Sequence, residues 1–191
     1  MQGGWRRAFG AADMLYARIP QERIGVLIGP GGETKRLLEA MTGTKILIDS
    51  ESGEVTIDES AAKDKFLAIK VRDIVLAIGR GFSEERAFRL LGDDSYFVVL
   101  DIKDHARTPE RIAQVRARLI GTRGKTRRII EELTGADLSI YGHTVSLIAD
   151  DFQLPIVQEA VEMLLRGSEH KTVYRFLERK RAALRIAEMG F

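Results

Sequence analysis

Ile28-Gly29-Pro30-Gly31-Gly32-Glu33-Thr34 and Ile120-Gly121-Thr122-Arg123-Gly124-Lys125-Thr126 are one stretch written twice, 92 residues apart. The same offset pairs Arg36 with Arg128, Glu39 with Glu131, Thr42-Gly43 with Thr134-Gly135 and Ile48 with Ile140, with no gap. A repeat of that length makes two related modules the reading of a 191-residue chain. Around each glycine stretch the same elements are expected. Met14–Ile19 reads as a strand closed by Pro20, Gln21–Ile28 as a short helix, and Glu33–Thr42 as a second helix capped by Gly43. Lys45–Asp49 and Glu54–Asp58 form a hairpin, and Ser60 starts a long helix to about Ile78 with Phe66, Ile69, Ile74 and Ile78 on one side. Module two repeats the order from Ser95, with Thr108-Pro109 opening its first helix. A short helix, Glu84–Leu91, lies between the modules. A last helix from about Ser168 to Met189 has no expected partner in module one.

Two helices meeting at Gly-x-x-Gly make a tight turn beside a helix N-terminus. Glycine permits otherwise forbidden φ and ψ and lets another backbone approach closely. Free amides at the start of the second helix favour an anion, for which a phosphodiester is the natural guest. The aliphatic groove beside the loop, between the two helices and the second strand, can then take the bases of a single strand.

Charge distribution supports the same guest. The net charge is only +2, but Arg107–Arg128 holds eight basic residues against Glu110 alone. Arg166–Arg185 holds seven against Glu169 and Glu178, which is also what a solvated helix face looks like. Hydrophobic content of 45% with 30% charged residues is ordinary for a globular protein, and no apolar run has the length of a membrane span. The first twelve residues are expected to be a flexible leader rather than a signal peptide. The absence of cysteine excludes disulfides and thiolate metal sites, and fits a reducing, cytoplasmic setting.

In the order of its elements and in the Ile-Gly-x-x-Gly motif, each module resembles the KH domain, whose loop clamps about four nucleotides. The helix after the hairpin points to the type I arrangement. The fold class expected is therefore α+β, two tandem type I KH domains (β-α-α-β-β-α each) with an extra C-terminal helix. The divisions expected are a leader at 1–12, KH domain 1 at 13–82, a helical connector at 83–94, KH domain 2 at 95–167 and a basic helix at 168–191.

The RNA-binding residues expected are Gly29, Pro30, Gly31, Gly32, Lys35 and Arg36 in module one. In module two they are Arg118, Gly121, Thr122, Arg123, Gly124, Lys125, Arg127 and Arg128. The loops are unequal. The second carries Arg123 and Lys125, whereas the first carries no cation and is followed by Glu33, so module one is expected to bind more weakly or to serve as a structural surface.

Gly124-Lys125-Thr126 superficially suggests a P-loop, but that motif needs a glycine where Leu119 stands. His105, His143 and His170 are scattered, without metal-ligand spacing, and no nucleophile–histidine–carboxylate grouping is defensible. No catalytic residue, metal or cofactor is expected. A scaffold that binds protein through its KH folds is the alternative of a different class. It would not retain single-stranded RNA.

Further details narrow the family. The exit Ala77-Ile78-Gly79-Arg80-Gly81-Phe82, the loop Gly121–Thr126 and the tail Val173–Glu178 together resemble the archaeal Dim-two family, also called partner of NOB, of tandem KH small-subunit ribosome assembly factors. The resemblance covers about Asp13 to Met189. It implies a non-catalytic protein that binds the 3′ region of precursor or mature small-subunit rRNA and cooperates with a PIN-type endonuclease or other ribosome and translation factors. Neither membrane nor DNA is an expected partner. Eukaryotic members carry a long N-terminal extension and a degraded first loop, so functions tied to those features do not transfer. Other archaeal KH factors, such as NusA-like transcription factors, are the runner-up. An exosome subunit would need an S1 barrel for which there is no room before Met14.

Overall fold

The computed structural model describes residues 14–62 and 64–188, so the expected leader at 1–12 lies outside the described residues. The chain divides between Leu91 and Gly92 into two compact modules. In module one, β1 (Met14–Arg18) leads to α1 (Gln21–Ile28), the glycine loop and α2 (Glu33–Thr42). Then come β2 (Lys45–Ile48), β3 (Glu54–Asp58), α3 (Lys65–Gly79) and α4 (Glu84–Phe88), with α4 prolonged by a 3-10 turn through Leu91. In module two, β4 (Ser95–Asp101), α5 (Pro109–Ile120), the second loop and α6 (Lys125–Thr134) are followed by β5 (Asp137–Tyr141), β6 (Thr144–Asp150), α7 (Gln153–Leu165) and α8 (His170–Glu188). Each sheet is three-stranded and antiparallel, ordered β1-β3-β2 and β4-β6-β5, which is the type I arrangement expected.

Period-2 alternation sets the inner face of each sheet. Val55 and Ile57 are fully buried on β3, as Val145 and Leu147 are on β6. The helices cover that face through Leu27, Leu38 and Ile74 in module one and through Leu119, Ile130 and Val161 in module two. The β2–β3 turn is tied by Asp49. Its carboxylate accepts the N–H groups of Glu51 (2.9 Å) and Ser52 (3.3 Å) and the Ser52 hydroxyl (2.8 Å). These bonds, the Ser52 hydroxyl foremost, hold the Asp49 carboxyl below its ordinary value.

Two local expectations are corrected. Ser60 is not the cap of α3. The Asp58 carboxylate accepts the Ser60 N–H at 2.9 Å in a turn, and the helix starts only where Asp64 accepts the Phe66 N–H at 3.0 Å. The buried face of α3 is Val71, Ile74, Val75 and Ile78, while Phe66 and Ile69 are exposed and Lys70 is buried. Apolar residues stand on two faces of this helix, and the Lys70 ammonium lies over the Phe66 ring at 5.4 Å.

The repeat also continues where none was expected. Past the sheets the two modules run in a second register, 86 residues apart. Gly81 and Gly167 follow α3 and α7 at φ 95° and 97°. Phe82 N–H donates to the Ala77 carbonyl as Ser168 N–H does to Met163, at 3.2 and 2.9 Å. Ala87 and Val173, one turn later, are both fully buried. The helix α4 is therefore the counterpart of the first turns of α8, cut short.

Candidate nucleic-acid interface

The two loops share one backbone geometry. Gly29 and Gly121 sit at φ 73° and 72°, Gly32 and Gly124 at 81° and 76°. The first glycine of each loop is needed for space as well as for φ. A Cβ on Gly29 would lie 2.0 Å from Thr34 Oγ1, and one on Gly121 would lie 2.3 Å from Thr126 Oγ1. The last glycine faces open space, so its requirement is φ alone.

Thr34 and Thr126, both buried, are the wedges beneath the loops. Each is gripped by the helix that follows the KH fold. The Thr34 hydroxyl donates to the Glu84 carboxylate of α4, and Thr126 Oγ1 accepts from the Tyr174 hydroxyl of α8 at 3.0 Å. An arginine on the helix before each loop secures the same corner. Arg23 donates to the Ile78 and Phe82 carbonyls at 2.8 and 2.6 Å, and Arg118 to Ser168 at 2.5 Å. Sequence reading missed these roles. The Gly81 and Gly167 register was the signal that could have disclosed them.

Other pairs keep their roles at the first offset. Arg36 donates to the Gly31 carbonyl at 2.9 Å and Arg128 to that of Arg123 at 3.2 Å, bracing the loop from the following helix. Glu39 accepts the Ile46 N–H at 2.7 Å and Glu131 that of Leu138 at 3.0 Å, tying helix to edge strand. Lys35 pairs with Glu39 at 3.0 Å and Arg127 with Glu131 at 3.6 Å. Beside α2 and β2 a cavity of about 720 Å³ is lined by Lys35, Glu39, Thr44, Ile46 and Leu47.

Two amides of each loop corner are closed within the turn. Gly32 and Gly124 N–H close on the Gly29 and Gly121 carbonyls at 3.0 and 3.1 Å. Glu33 and Lys125 N–H donate to Pro30 and Thr122. These amides are used within the loop, so for them the side chains and the helix dipole supply the attraction for an anion.

There the loops part. Arg123 stands at φ 54°, the one non-glycine with positive φ among the described residues, and its counterpart Gly31 stands at 56°. Pro30, Gly31, Arg36, Thr122, Arg123, Lys125, Arg127 and Arg128 are exposed, whereas Gly29, Gly32, Lys35, Gly121 and Gly124 are half-buried. Setting aside the cations paired with Glu39 and Glu131, module two presents Arg123, Lys125 and Arg128, and module one only Arg36 beside Glu33. Arg118 is half-buried and donates to the Ser168 carbonyl ahead of α8. Among the described residues no cluster of His, Asp and Glu could hold a metal, and no helix is long and apolar enough to cross a membrane.

The comparisons with known proteins agree with this geometry. A family described as eukaryotic type KH-domain, KH-domain type I, matches residues 96–182, and the KH domain family matches residues 16–66. A KH domain-containing protein of Methanocaldococcus jannaschii is 46% identical over 171 residues, 89% of this chain and 75% of that protein. The crystal structure of Dim2p from Pyrococcus horikoshii is 50% identical, with a TM-score of 0.81 over 87% of this chain and 98% of that one. A chain in the a/eIF2alpha–aDim2p–rRNA complex from the same organism is 49% identical, with a TM-score of 0.83 over 90% of this chain and 95% of that one. KH-domain proteins are typically non-catalytic RNA binders. With two type I KH folds, two intact glycine loops and relatives this close, the chain belongs to the archaeal Dim2 family of tandem KH-domain RNA-binding proteins.

Proposed function

We propose that this protein holds the 3′ region of precursor small-subunit rRNA as a single strand during ribosome assembly, without catalysing a reaction itself. Module two is the principal RNA site. The observation that carries this is Arg123, an exposed cation kept in a left-handed backbone conformation within the loop, with Thr122 and Lys125 exposed on either side of the Arg123-Gly124 pair. A relative 49% identical was crystallised with rRNA and a/eIF2alpha, which supports both an RNA and a protein partner for this chain. A PIN-type endonuclease acting on the bound 3′ end belongs to the same reading, as does a cytoplasmic location.

Crosslinking in extract of the protein's own cells, followed by sequencing of the attached RNA, tests it. Reads concentrated at the 3′ end of small-subunit rRNA and its precursors are expected. Reads scattered over messenger and transfer RNA would overturn it. The endonuclease is tested separately, by its retention on the immobilised full-length protein.

A second reading concerns module one alone. Its loop lacks an unpaired cation apart from Arg36, and Leu37 and Met41 on α2 are about half exposed, at 49% and 47%. In module two the counterparts Ile129 and Leu133 are largely covered, on a helix that packs against α8. Module one therefore suits a protein surface better than an RNA backbone.

A further inference from the structure

On the side of α5 that faces α7, a pocket of about 370 Å³ is lined by His105, Arg111, Gln114, Arg118 and Arg166, together with the Gly167 corner. No carboxylate lines it. Arg166 is neutralised by Glu162 beside the pocket. The other two arginines have uncharged partners: Arg111 donates to Gln114 Oε1 at 3.0 Å and Arg118 to the Ser168 carbonyl at 2.5 Å. Arg118 Nε is buried and finds no acceptor among the described residues. A buried guanidinium N–H without an acceptor is costly and rare. The carbonyls that end α7 do not supply one: the Arg118 guanidinium reaches the Ser168 carbonyl only through its terminal nitrogen. The chemistry this arrangement answers is a phosphate, whose oxygens accept from two guanidinium groups at once.

We propose that this pocket is a second phosphate site, taking a phosphodiester of the strand clamped by the Gly121–Gly124 loop. The proposal rests on the RNA reading of module two. Arg118 stands three residues before Gly121 on the same helix, a rise of about 4.5 Å, and Arg111 about 15 Å before it. A strand leaving the loop reaches the pocket along α5.

The test measures affinity of the full-length protein for two RNAs, one of about four nucleotides, the length a KH loop clamps, and one of about twelve. Arg111→Gln should weaken the longer strand about fivefold, leave the shorter unchanged, and lower the log–log salt slope by about 0.7. Equal weakening of both strands, or of neither, would overturn the pocket. The RNA reading itself is tested separately by Thr122→Asp with Arg123→Asp, which should weaken both strands. A direct readout is the Arg118 Nε–H resonance of the unmodified protein. Displacement by the longer RNA and by inorganic phosphate supports the site. Displacement by phosphate but not by RNA overturns the strand assignment, and displacement by neither overturns the site.

Discussion

Gly31 and Arg123 hold the same left-handed position in the two loops, at φ 56° and 54°. Around them the parts correspond: Thr34 and Thr126 beneath, Arg36 and Arg128 bracing, Gly32 and Gly124 closing the turn. A glycine takes this conformation freely, while another L-residue is disfavoured by roughly 1–2 kcal/mol. Module two therefore keeps a guanidinium where the backbone resists any side chain. Module one keeps the loop without the charge. The contrast separates what the turn needs from what its guest needs. Glycines maintain the turn in both modules, while the cations beside it are concentrated in module two.

The largest effect should come from Thr122→Asp with Arg123→Asp. Asp tolerates the left-handed region better than most residues, so the fold should hold while RNA affinity falls on the order of a hundredfold, the work of two carboxylates within a Debye length of ~8–10 Å. Pro30→Asp with Gly31→Asp should cost only severalfold. Filter binding with circular dichroism decides, and a reversed ranking would invert the assignment of sites.

Dividing the chain between Leu91 and Gly92 should leave the second piece the better binder by about tenfold, with each piece weaker than the whole through lost avidity. The cut must not fall at Phe82, which would strip Glu84 from Thr34. A second piece that matches the intact protein would leave module one without an RNA role.

Gly31→Arg would install the missing cation at a φ that Arg123 already adopts. It should raise affinity about threefold to tenfold and steepen the salt dependence by about one counterion. No gain would mean that the loop's charge is not what separates the modules.

Tyr174→Phe should destabilise module two by about 1 kcal/mol, the worth of one neutral hydrogen bond, without changing short-strand affinity. A large fall in affinity would place α8 within the RNA site.

The smallest effect is one of acidity, confined to module one. Asp49 titrates below its ordinary value because the folded turn favours the carboxylate. Its contribution is present above the ordinary carboxylate pKa and is lost as pH falls through the lowered one. Amide exchange at Glu51 and Ser52 should accelerate there, while the Gly142-His143 turn of module two does not share that response.

The fold was legible because the repeat at the first offset carries the glycine loop, both ends of the helix after it and the hairpin that follows. The second register was not. The segment from the end of β3 to Gly81 is six residues longer than its counterpart from β6 to Gly167, and what aligns the ends is a pair of left-handed glycines rather than similar side chains. The role of Thr34 and Thr126 was hidden for a related reason. Thr34 stands in register with Leu37, Leu38 and Met41 on the apolar stripe of its helix, but only the absent Cβ of the glycine above shows what it packs against. Arg118 stands with the loop cations in sequence, and the linear reading does not show that it also donates to the Ser168 carbonyl ahead of α8. On α3, Phe66 and Ile69 made a plausible stripe, and the core took the neighbouring one.

The wedge beneath each loop also bears on when order is acquired. With Gly121 seated on Thr126, and Arg128 bonded to the carbonyl of Arg123, the second loop has few conformations left to lose. Its entropy is surrendered as the chain folds, before any RNA arrives. The ordering cost of association then falls on the nucleic acid. In calorimetry, restraining the sugar–backbone torsions of the RNA should make the binding entropy less unfavourable. Stiffening the protein loop further should leave it nearly unchanged.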